Sequence, residues 1–129
     1  MSLLHQLFSL FTALGAGGVR HVPPVEAARL VREKKAVLVD IREPAEWAHG
    51  VARNAALLPL SDLNGPRRLW QPFLQQLGGR EIIVYCHSGS RCRLAGRILC
   101  AEGFTAASAG TLRAWGRAGL PVCKPKPLR

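Results

Sequence analysis

Val84-Tyr85-Cys86-His87-Ser88-Gly89-Ser90-Arg91 is the stretch on which the reading of this chain turns. Residues 81–85 are a run with the makeup of the central strand. That run delivers the chain into a cysteine, a short Ser/Gly loop and a helix starting near Arg91. A cysteine in this place faces several backbone N–H groups and the positive end of a helix dipole, and both favour thiolate over thiol. Gly89 can take the backbone angles by which successive N–H groups curl into an anion-binding nest, and Arg91 and Arg93 add full charges. A free thiol titrates at about 8.5, and this setting is expected to lower that value. Cys86 therefore reads as a nucleophile, against the bland alternative of a buried, inert cysteine at a strand end.

Outward from this loop, apolar runs alternate with helical patterns. Residues 19–22 suit a short strand, and Pro23-Pro24 opens a helix through Lys34, since proline suits a first helical turn. Residues 36–41 are a nearly continuous apolar run that releases Asp40 and Arg42 at its C-terminal end. A short helix starts at Glu43 and runs through Glu46 and Trp47 towards Gly50; residues 55–58 form the next strand, stopped by Pro59. A helix over 67–77, the strand leading to Cys86, a helix from Arg91 to about Glu102, a strand over 104–107 and a helix over 112–118 complete the order. Such alternation implies an α/β fold: one domain with a mostly parallel central sheet flanked by helices, its sites beyond the carboxyl ends of the strands.

Size agrees with one domain, since 129 residues at 48% hydrophobic can bury a core. The domain is expected over 19–123, with a basic tail over 124–129. Residues 1–18 carry Leu4, Leu7, Phe8, Phe11 and Leu14 at helical spacing before a run of Gly and Ala. They read as an amphipathic helix and glycine-rich linker, packed on the domain or a partner, or lying on a membrane surface. The apolar stretch is too short to span a bilayer, and no Lys or Arg precedes it as in a signal peptide. A cytoplasmic protein is expected, with a periplasmic or membrane-associated one as the alternative.

Eighteen Lys and Arg against eight Asp and Glu leave a net charge of +10, most of it from Cys86 onward. Such a balance suits acidic partners or small anionic substrates. Only eight aromatic residues occur, too few on a basic face to argue for nucleic acid. Cys86, Cys92, Cys100 and Cys123 lack Cys-x-x-Cys spacing and a suitably spaced histidine, so no metal site is expected and reduced thiols are the simpler reading.

These pieces together resemble the rhodanese domain family. The resemblance rests on Asp40, Arg42, Glu46, Trp47, Pro59, the loop Cys86-x-x-Gly89-x-Arg91, Trp115 and Gly119-Leu120-Pro121, in order over about a hundred residues. It implies sulfurtransferase chemistry without a metal or organic cofactor. Cys86 would carry a persulfide, the amides from His87 through Ser88, Gly89, Ser90 and Arg91 to Cys92 would surround its terminal sulfur, and Arg91 would orient an anionic donor such as thiosulfate. Arg42 is expected to face the site, and Asp40 and Glu46 to tie loops. The acceptor would be a small thiol, cyanide or a protein cysteine. His87 reads as an entrance residue rather than an acid or base. Cys92 departs from the family's usual serine and reads either as a near-isosteric replacement or as a resolving thiol.

The same fold is similar to that of cysteine-based phosphatases and arsenate reductases, which place five residues between cysteine and arginine. Here there are four, a smaller cradle fitted to one sulfur rather than to a phosphate. A non-catalytic docking module with a basic face is the third reading.

Overall fold

A computed structural model describes residues 19–125 of the chain. The amphipathic segment expected over 1–18 and the end of the basic tail lie outside the described residues. Twelve elements follow in order: α1 (Pro24–Arg32), β1 (Ala36–Asp40), α2 (Pro44–Trp47), β2 (Val51–Ala52), β3 (Ala56–Leu57), α3 (Leu60–Leu63), α4 (Trp70–Gln75), β4 (Glu81–Cys86), α5 (Ser90–Ala101), β5 (Ala106–Thr111), α6 (Leu112–Arg117) and β6 (Val122–Cys123).

The main sheet has the order β3-β1-β4-β5 and is parallel throughout. Period-two alternation divides its residues between two apolar layers. On β4, Ile82, Val84 and Cys86 join the layer built with α5, to which Cys92, Ala95 and Leu99 contribute. Ile83 and Tyr85 join the opposite layer with Ala27 of α1 and Trp115 of α6. Trp70 is fully buried and donates its indole N–H to the Pro59 carbonyl at 2.9 Å. Truncating a core tryptophan of this kind costs about 3–5 kcal/mol. Trp47 and Trp115 are also buried, the former with its indole nitrogen unpartnered.

Several elements differ from the sequence expectation. The strand expected over 19–22 is reduced to one parallel bridge between His21 and Ser108. The helix expected over 67–77 begins only at Trp70, because Arg67 lies at φ 58 and the Asp62 carboxylate accepts from the amides of Arg68, Leu69 and Trp70. Those amides are the free donors of a helix start, so Asp62 fixes where α4 begins. The last strand of the main sheet lies later than 104–107. Val84 pairs with Ser108 but Cys86 with Thr111, so β5 carries one extra residue as a bulge beside the cysteine. The two-residue antiparallel pair β2-β6 was not expected at all.

α5 lies close under the incoming chain. A Cβ added at Gly96 would sit 2.0 Å from Val19 Cγ2, so this glycine is what lets the segment before α1 cross the helix.

Candidate functional site

Cys86 is the last residue of β4 and is fully buried. The alternation that puts Ile82 and Val84 under α5 puts its sulfur there too, below the first turn of that helix. Between strand and helix the loop turns on Gly89, at φ 96, a conformation that side chains disfavour. This turn aims the Gly89 amide at Cys86 Sγ, 3.0 Å away. His87, Ser88 and Ser90 are exposed, so the loop presents backbone inward and side chains outward.

Cys92, on the first turn of α5, closes the cradle from the helix side. Its thiol donates to Cys86 Sγ at 3.1 Å and also lies 3.6 Å from the Gly110 carbonyl on the β5 bulge. The Cys92 thiol, with the amides of Cys92, Gly89 and Ser88, holds the Cys86 thiol well below its ordinary range, to about 6, against the opposing effect of burial. The same contact and its own burial push the Cys92 thiol up, so Cys92 keeps its proton. Cys86 is thus thiolate at neutral pH with a protonated partner beside it.

Arg91 reaches back to α2, where Glu46 accepts from both terminal nitrogens at 2.6 and 2.8 Å. The hydrogen-bonded guanidinium lowers the Glu46 carboxyl to about 2. Glu46 also accepts from the Glu43 amide, as half of a capping box that starts α2.

Arg42 is buried and turned towards Asp40. Its Nη2 lies 2.8 Å from Asp40 Oδ2 and 2.7 Å from the Gly50 carbonyl, and Nη1 lies 3.3 Å from the Glu46 carbonyl. The Tyr85 hydroxyl donates to Asp40 at 2.6 Å and accepts from the Ala52 amide at 2.9 Å. This network locks the ends of β1 and β4 to the segment 50–52, directly beside the cysteine loop.

The structure therefore gathers Cys86, the loop from His87 to Cys92, and the Arg91–Glu46 pair at one end of the sheet, with Asp40 and Arg42 bracing it. Sequence reasoning missed Tyr85 and the Gly110 carbonyl. The first had a signal, since a tyrosine directly before Cys86 must face the opposite layer; the second depends on the bulge and had none. Among the described residues there is no cluster of His, Cys, Asp or Glu suited to a metal ion, and no helix long and apolar enough to cross a membrane.

A parallel α/β sheet whose central strand ends in an amide-ringed thiolate defines a class of cysteine-loop domains that hold a small anionic atom or group. Residues 23–117 match the model of the rhodanese-like domain, and the chain belongs to that family. It is 34% identical over 100 residues to a sulfurtransferase of Allochromatium vinosum, covering 76% of this chain and 88% of the relative. The polysulfide-sulfur transferase homodimer of Wolinella succinogenes matches at a TM-score of 0.65 and 25% identity, over 98% of this chain and 96% of that one. A Rhodopseudomonas palustris protein of unknown function, described as a possible tyrosine phosphatase, matches at 0.68 and 22% identity over 95% of both chains, a likeness of fold. Family and relatives support sulfur transfer in general.

Proposed function

We propose that this protein moves a sulfane sulfur from thiosulfate or a persulfide donor to a thiol through a persulfide on Cys86. The observation that carries this reading is the geometry around the Cys86 sulfur, which accepts from the Gly89 amide at 3.0 Å and from the Cys92 thiol at 3.1 Å, contacts that favour its thiolate. The thiolate attacks the outer sulfur of thiosulfate, the donor's S–S bond breaks, and sulfite leaves with the bonding pair. The amides of the loop from His87 to Cys92 then hold the terminal sulfur of the persulfide. An acceptor thiolate attacks that outer sulfur and Cys86 departs as thiolate, a two-stage covalent cycle needing no cofactor.

In this scheme Arg91 contributes its charge while fixed by Glu46, and Arg42 acts with Asp40 by holding the loop rather than by touching the donor. His87, Ser88 and Ser90 form the entrance, and the exposed Arg93 of α5 adds positive charge on the side from which a protein cysteine would dock. Four free cysteines suit a reducing, cytoplasmic setting. The four-residue spacing between Cys86 and Arg91 favours one sulfur over a phosphoryl group and weighs against phosphatase chemistry.

Mass spectrometry of the intact chain after incubation with thiosulfate tests this. The expected product is one sulfur heavier, with the addition mapped to Cys86 and absent from Cys86→Ser. No sulfur gained at any time by the wild type or by Cys92→Ser and no sulfide released, or an adduct elsewhere, overturns the reading.

A further inference from the structure

Cys92 offers more than a hydrogen bond. A hydroxyl in its place would donate to the thiolate equally well, whereas a second sulfur 3.1 Å from the first can form a bond to it. A disulfide is about 2.05 Å long, so closure asks for about one ångström of approach, within the reach of small side-chain rotations at both cysteines. The two sulfurs sit on different elements, the end of β4 and the first turn of α5, and both are buried, with relative exposures of 0% and 1%.

We propose that Cys86 and Cys92 form a dithiol–disulfide couple that reduces the bound sulfane sulfur to sulfide, a second outcome for the Cys86 persulfide. This rests on the sulfur-transfer reading above, because the persulfide is its starting point. An outside thiol meets the outer sulfur through the loop entrance and carries it away. Cys92, from beneath the helix, faces the inner sulfur instead. Its attack forms the Cys86–Cys92 bond and breaks the bond between Cys86 and the outer sulfur. That sulfur leaves as HS−, taking the bonding pair and, in balance, the proton of Cys92. The outer sulfur has then been reduced by two electrons and the two cysteines oxidised. A dithiol reductant restores them by thiol–disulfide exchange and ends as its own disulfide.

While Cys86 is a thiolate, the hydrogen bond that Cys92 donates to it, together with burial and the neighbouring charge, keeps Cys92 protonated. Persulfidation moves the charge one atom outward, so the part of that restraint that comes from Cys86 is relieved only after sulfur has been loaded. Loading therefore precedes discharge, and the empty pair stays reduced.

The test uses the full chain. Wild type and Cys92→Ser are loaded with thiosulfate, desalted and followed without acceptor by intact mass, sulfide assay and non-reducing peptide mapping. Wild type is expected to pass from the sulfur-bearing form to one lighter than the reduced chain by a pair of hydrogens, with one sulfide released per chain and a Cys86–Cys92 cross-linked peptide. Cys92→Ser is expected to remain sulfur-bearing and to release none. A wild-type persulfide that persists without sulfide or cross-link overturns this inference and leaves the sulfur-transfer reading standing. Should neither protein ever gain sulfur or form the cross-link, the sulfur-transfer reading falls as well. The wild-type peptide map decides the matter even if Cys92→Ser does not fold.

Discussion

Glu46 holds both terminal nitrogens of Arg91, so the one cation within the cysteine loop is tied to α2, across the site from its own helix. The arrangement ties the first turn of α5 to α2. Glu46→Gln is expected to lower the unfolding free energy by no more than about 1 kcal/mol in urea titration, since a partly exposed pair is worth little and the glutamine carbonyl still accepts from the Glu43 amide. Its carboxyl is lowered on folding, so its contribution is complete above the ordinary carboxylate range and is lost as pH falls towards 2. The acid limb of the wild-type stability profile should therefore be steeper than that of Glu46→Gln.

Asp40→Asn leaves the buried Arg42 guanidinium without its counter-charge. Breaking a buried pair from one side costs about 3–5 kcal/mol, and a loss of that size in the unfolding free energy, read from denaturant titration, is expected. Tyr85→Phe removes only the hydroxyl between Asp40 and the Ala52 amide, and should cost about 1–3 kcal/mol.

The rate of Cys86 alkylation by a small neutral reagent should rise with pH through a midpoint near 6 and level off above it. Removing the Cys92 donor by Cys92→Ala takes away the largest influence on that midpoint and should move it upward. A midpoint that stays put would assign the lowering to the loop amides alone.

Gly89→Ala tests the turn. A methyl group there meets nothing within 4 Å, so the penalty is confined to the backbone at φ 96. A left-handed conformation costs a side-chain-bearing residue about 1–2 kcal/mol, and relaxation away from it should withdraw the 3.0 Å amide from Cys86. Slower persulfide formation, with stability lowered by no more than that amount, is the expected outcome.

The parts of the fold written in continuous patterns could be read in advance. The apolar run into Cys86 and the Ser/Gly loop behind it specify strand, turn and helix by local chemistry alone, and β4, Gly89 and α5 stand where that chemistry puts them. Elements set by distant partners were not readable. β2 and β6 are two residues each and exist only because they meet each other. The start of α4 was hidden because Asp62 captures amides six to eight residues ahead. The approach of Cys92 to Cys86 lay between these cases: six residues of separation say nothing about convergence until alternation along β4 fixes the side on which the Cys86 sulfur lies.

Gly96 gives the domain a mechanical property. The notch it leaves in α5 seats Val19 one helical turn beyond Cys92 and on the same side of that helix, so the chain entering the domain rests directly against it. A pull applied ahead of Val19, by a fusion partner or a surface tether, is borne by that helix together with β5, to which Arg20 and Val22 are hydrogen-bonded through Ser108. Tension applied at Val19 thus arrives one helical turn from Cys92 and its contact with the reactive sulfur.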